Sequence, residues 1–132
     1  MQQKAVLENT DVARLLAAAR DEARRNAWNV TIAIVDDGGH LLALERLDGC
    51  APISAYIATE KARSAALGRR ETKGYEEMVN NGRTAFVSAP LLTSLEGGVP
   101  VLVQGQVVGA VGVSGVKADQ DAQVAAAGVA GL

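Results

Sequence analysis

A few residues in this chain have side chains or spacing that could do chemistry. His40 is the only histidine and directly follows Asp36-Asp37-Gly38-Gly39, a run suited to a tight turn. An imidazole placed there can ligate a haem iron, relay a proton or close the turn with a hydrogen bond. Lys61 lies between Glu60 and Arg63, among Ala58, Ala62, Ala65 and Ala66. A lysine stem running over such small residues can carry a point charge toward a ligand carboxylate, or it can be a solvated lysine paired with a neighbouring acid. Glu96-Gly97-Gly98-Val99-Pro100 sets a carboxylate beside two glycines whose backbone N–H groups can approach an anion; the same sequence also serves as a tight turn. Ser114 ends a Gly109-Ala110-Val111-Gly112-Val113 run, where small residues imply close packing by a helix, a subunit partner or a flat ligand. It is a poor nucleophile, because its surroundings do not match Gly-x-Ser-x-Gly and the histidine is far away in sequence.

Other chemistries are excluded by what the chain lacks. Cys50 is the only cysteine, so there is no internal disulfide and no cysteine set for zinc, and a reducing, cytoplasmic setting is expected. No strand-Gly-x-Gly-x-x-Gly-helix unit and no phosphate-binding loop occurs. A net charge of −2 supplies no field that would gather nucleic acid or an anionic membrane. The charges spread over Met1 to Arg25 leave no signal-peptide core, and no apolar run is long enough to span a bilayer.

Regular elements must position these residues. Val12, Leu15, Leu16, Ala19 and Ala23 form one stripe of a helix over Asn9 to Arg25, for which Asn9, Thr10 or Asp11 can act as cap. Val30 to Val35 and Leu41 to Arg46 are β-prone runs joined by the Gly-rich turn, a hairpin. Pro52 to Gly68 reads as a long alanine-rich helix. Tyr75 to Val79 reads as a short helix inside a connecting segment, and Thr84 to Ser88 as a short strand. Val99 to Val103 and Gln106 to Val113, separated by Gln104-Gly105, make a second hairpin, and Ala118 to Val129 a last helix with Asp119 and Asp121 in its first turn. The 132 residues form one domain with a core of Ala, Val, Leu and Ile, since aromatics are only 3%. The order predicts an α+β fold: an antiparallel sheet with helices packed against it.

Taken together, Val35-Asp36-Asp37-Gly38-Gly39-His40-Leu41, the Lys61-Ala62 helix, Gly97-Gly98-Val99-Pro100, and the run Gly109 to Gly115 followed by Asp119-Gln120-Asp121 resemble the HbpS/GlcG-like family. The match extends over nearly the whole chain. The resemblance implies a profilin-like fold, a central antiparallel sheet flanked by helices, and assembly into homo-oligomers. That family includes haem-binding and haem-degrading proteins, a protein associated with glycolate-utilisation operons, and a domain appended to PduO-type corrinoid adenosyltransferases, so function varies on one fold. Haem-binding members can use histidines near the N-terminus, and here none precedes His40.

Two functions follow. The first is binding of haem or another tetrapyrrole, with haem degradation as an accompanying activity, His40 near the iron and Lys61 or Arg46 holding propionates. The alternative is an enzyme or accessory binder for a small hydroxy- or oxo-acid, with Lys61 and the Gly97-Gly98 amides on the carboxylate and Glu96 or His40 moving a proton. For assembly, the last helix is so poor in charge after Asp121 that one face is expected to cover its own sheet and another to meet a neighbouring subunit.

Overall fold

The computed structural model describes residues 1–132, and its elements follow one another as α1 (Asn9–Arg25), β1 (Thr31–Asp36), β2 (Leu41–Arg46), α2 (Ile53–Gly68), α3 (Lys73–Asn80), a 3-10 helix (Thr84–Ser88), β3 (Gly98–Val103), β4 (Gln106–Ser114) and α4 (Ala118–Ala130). The four strands form one antiparallel sheet in the order β2-β1-β4-β3. Each hairpin thus supplies one central and one edge strand. This is the expected α+β architecture of a sheet flanked by helices.

The two faces of the sheet are covered differently. Ile32 and Ile34 of β1 and Val111 and Val113 of β4 point to one side, where they meet Leu15 and Ala19 of α1 and Val124 of α4 in the main core. On the other side Ala33, Val35 and Ala110 meet Ala58, Ala62, Ala65 and Ala66 of α2. Gly112 lies under α2 so closely that a Cβ there would overlap the Ala58 carbonyl oxygen and the Ala62 nitrogen. The element that packs on the small-residue strand is therefore the chain's own long helix.

Two expectations are corrected. The first turn of α1 is organised by Asp11, whose carboxylate accepts the Glu8 N–H at 2.8 Å, so Glu8 occupies the cap position rather than Asn9, Thr10 or Asp11. Thr84 to Ser88 is not a strand. Despite its β-prone residues it has no neighbour to complete a ladder, and it closes local turns instead, with Phe86 lying 5.7 Å from Tyr75 of α3 between ring centroids. The last helix covers its own sheet as expected: Val124, Ala125 and Gly128 of α4 are buried, while Ala126 and Ala130 face outward. Its buried side also rests on α1, where the Gly128 backbone comes so close that a Cβ would be 3.0 Å from that of Ala19. The larger exposed apolar side chains lie elsewhere. A bulge leaves Leu42 without a partner in β1, and Leu41, Leu42 and Leu44 are exposed on the edge strand β2, as are Ile53 and Tyr56 at the start of α2.

Candidate functional site

The Gly-rich turn that joins β1 to β2 is built around one carboxylate. Asp36 Oδ1 accepts the backbone N–H groups of Gly38 and His40, both at 2.9 Å, and Nδ1 of His40 lies 3.1 Å from each carboxylate oxygen. Burial alone would raise the Asp36 pKa, but these contacts from His40 and Gly38 outweigh it and hold the carboxyl below its usual range. Gly39, at a φ of 79°, allows the turn to fit against Arg63 and Leu67 near the end of α2. The His40 side chain is 80% exposed. With Nδ1 facing Asp36, the other ring nitrogen is left for an external partner. In the sequence Asp36, four residues upstream across the two glycines, reads only as part of a turn, because any Asp-Gly turn looks the same there.

Lys61 is at the other end of the sheet and is neither solvated nor paired with its neighbour. Glu60 bonds Arg63, whereas Lys61 is 3% exposed and donates from Nζ to the Val113 carbonyl at 2.9 Å and to Asp121 Oδ2 at 3.0 Å. The other Asp121 oxygen accepts the Val116 N–H at 3.1 Å. Burial pushes the Asp121 carboxyl above its usual range, a rise that Lys61 opposes. The ammonium runs from α2 to α4, which lie on opposite faces of the sheet. Gly97 makes this possible, because a Cβ there would be 2.8 Å from both Nζ and the Val113 oxygen. The Gly98 N–H donates to Thr72 Oγ1 at 2.8 Å and the Gly97 carbonyl accepts the Val113 N–H at 3.0 Å, so much of the glycine pair's polar capacity serves the fold. The sequence marks Asp121 as a helix-dipole residue and part of the family motif but not as the partner of Lys61, since no spacing rule joins positions 60 residues apart.

The remaining candidates lie around these two centres. Glu96 is beside Gly97 but has no bonded partner; partial burial raises its carboxyl, Lys73 opposes the rise, and Glu76 and Asp119 reinforce it. Ser114 faces Thr31 across the β1–β4 ladder, and its carbonyl accepts the Cys50 thiol at 3.8 Å. Cys50 and Ser54 (Sγ to Oγ, 2.9 Å) and Thr31 and Ser54 (Oγ to Oγ, 2.7 Å) complete a small polar cluster that the sequence did not reveal. Arg46 also pairs with Thr31, on its other side, at the far end of β2 from His40. Six strand positions separate Arg46 from His40, about 20 Å at the usual rise per residue. The structure thus brings Lys61, Glu96, Gly97 and Gly98 together, sets Ser114 and Arg46 along the same sheet end, and holds His40 apart.

A four-stranded antiparallel sheet with two helices on one face and one on the other is the architecture of a known class of small α+β domain. The chain belongs to the family of haem-degrading proteins described as HbpS-like, whose model matches residues 7–130. It is 69% identical over 114 residues to protein GlcG of Escherichia coli strain K12, an alignment covering 86% of this chain and 85% of that protein. Among solved structures, an HbpS double mutant of Streptomyces reticuli superposes with a TM-score of 0.88 at 30% identity, covering 98% of this chain and 89% of the other. The PduOC:Heme complex superposes with a TM-score of 0.87, covering 97% of this chain and 96% of the other, and at 23% identity that likeness is one of fold. No helix is long and apolar enough to cross a membrane.

Proposed function

We propose that the protein binds haem or a related tetrapyrrole on the apolar surface formed by β2 and the end of α2, where His40 is the residue that would hold the iron. The observation that carries this reading is the Asp36–His40 contact. A histidine that ligates a metal usually presents its second ring nitrogen to a carboxylate, which fixes the tautomer and strengthens the ligand. Here that arrangement exists on an exposed imidazole bordered by exposed Leu41, Leu42 and Leu67. Arg69 reaches the same turn through a bond to the Asp37 carbonyl and supplies positive charge for propionates, whereas Arg63 beside it is paired with Glu60. Arg46 is too far along β2 for this, and Lys61 would have to leave Asp121. Bound haem would supply a redox-active iron; the chain's part is to orient His40 and offer an apolar bed.

Such a bed is open on one side in a single chain. A second copy laid over Leu41, Leu42, Leu44 and Tyr56 would close it, which fits a homo-oligomer with a ligand between subunits in a cytoplasmic setting. Titration with hemin tests the reading. The expected result is a Soret band displaced from that of free hemin, lost in His40→Ala and formed with ~10–100-fold weaker affinity in Asp36→Asn. A spectrum equal to that of free hemin, or one that His40→Ala leaves unchanged, overturns it. A mass of 13.6 kDa in light scattering, one chain, persisting at high concentration with hemin, removes the second copy.

A further inference from the structure

The end of β2 remote from His40 borders a separate cleft. Helix α1 ends at Arg25, and Ala27 then takes a φ of 57°, a left-handed conformation that a residue with a Cβ adopts at a cost. This reversal turns Trp28, the only tryptophan, so that it packs against the edge of the main core while remaining partly exposed. Beside it is a cleft of about 430 Å³ lined by Arg24, Trp28, Asn29, Glu45, Arg46 and Asp48 among others, a size suited to a small organic molecule.

The cleft's charges are unusual for this protein. Arg20, Arg25 and Arg63 are held by carboxylates, Arg69 by two carbonyls, and Arg70 and Arg83 lie over the rings of Tyr75 and Phe86. Apart from Arg14, only Arg24 and Arg46 have no such partner, and both line this cleft. Glu45, the acid beside them, is turned to Arg20 at 2.9 Å. Asp48 is the remaining free carboxylate, so the two guanidiniums leave one net positive charge to be met by a ligand. A guanidinium fork matches a carboxylate, and an indole face is a platform for a flat π-system.

We propose that this cleft is a second ligand site, for a planar organic monocarboxylate, with Arg24 and Arg46 holding the carboxylate and Trp28 stacking on the conjugated part. The site is independent of the haem reading, since it shares no residue with the His40 surface. It also differs from an acid site at Lys61, whose ammonium is already bonded.

Trp28 fluorescence reads the site directly, as no other tryptophan contributes. Benzoate is the probe and benzamide its uncharged counterpart. Benzoate is expected to quench Trp28 saturably, and benzamide at least tenfold more weakly. Arg24→Gln and Arg46→Gln, both substitutions of exposed side chains in a fold they do not support, should each weaken benzoate binding about tenfold, as loss of a charge-assisted pair does. His40→Ala should leave it unchanged while abolishing the hemin signal, so the two readings fail separately. Quenching that rises linearly without saturation, equal quenching by benzamide, or unchanged binding in both arginine variants overturns the proposal.

Discussion

Replacing Lys61 with Met tests how the two faces of the sheet are joined. Lys61 and Asp121 are 3% and 2% exposed, with 3.0 Å between Nζ and Oδ2. At an effective dielectric constant of ~20 their attraction is roughly 5 kcal/mol, largely offset by the cost of dehydrating both groups. The intact pair is therefore worth little compared with two apolar residues, but breaking it strands a buried carboxylate. Lys61→Met should cost ~3–5 kcal/mol near pH 7, a large part of the ~5–15 kcal/mol that holds a domain of this kind together. The sign of the pH dependence follows from Asp121, whose folded-state pKa is already raised by burial and rises further without Lys61. A group with a raised folded pKa binds its proton more tightly in the native state, so the variant's deficit grows as pH rises through that value and shrinks on acidification. Lys61→Met with Asp121→Leu should recover most of the loss at every pH. Urea unfolding at two pH values measures all three proteins. A single-variant cost below ~1 kcal/mol at neutral pH, or a double variant no more stable than the single one, would refute the reasoning.

Two further outcomes follow from the packing and the charges. Val124→Glu should fail to fold, since Val124 is fully enclosed between α4, α1 and the sheet, whereas Leu44→Glu should fold and, if copies meet on β2, yield a smaller particle in light scattering; a soluble, folded Val124→Glu would contradict the core assignment. Asp36, Asp37 and Glu22 all have carboxyls held below their usual range: Asp36 by contacts that outweigh its burial, Asp37 by Lys4 chiefly, and Glu22 by Gln123 and Arg25. Their contribution to stability is present above the unfolded carboxylate pKa and lost as pH falls through the folded values, so Asp36→Asn should flatten the acid limb of the urea midpoint against pH, and parallel profiles for variant and wild type would count against it.

Much of the fold was legible because local signals agreed with the final packing. The Asp36-to-Gly39 and Gln104-Gly105 turns set both hairpins, and the apolar stripe of α1 and the alanines of α2 named their buried sides. The segment Thr84–Ser88 failed because β-propensity describes a residue's fit to a sheet, and no strand was there to receive it. For α4, lack of charge shows that a helix is covered, but only the fold shows that α1 does part of the covering. At the candidate site, His40 and Lys61 stood out by type, whereas their partners Asp36 and Asp121 did not. Asp36 was hidden by the ordinariness of Asp-Gly turns, and Asp121 by a contact that closes only when α2 and α4 are set on opposite faces of the sheet.

The layer of alanines under α2 gives the sheet one adhesive side and one slippery side. Leucine, isoleucine and valine hold α1 and α4 down through interdigitated bulk. The α2 layer, made almost wholly of methyl groups against Ala33, Val35, Ala110 and bare Gly112, offers close contact with little hydrocarbon per residue and no knobs to lock its register. Friction against sliding must then come from polar pins through an otherwise smooth joint, the ammonium of Lys61 and the Ser54 hydroxyl bonded to Thr31.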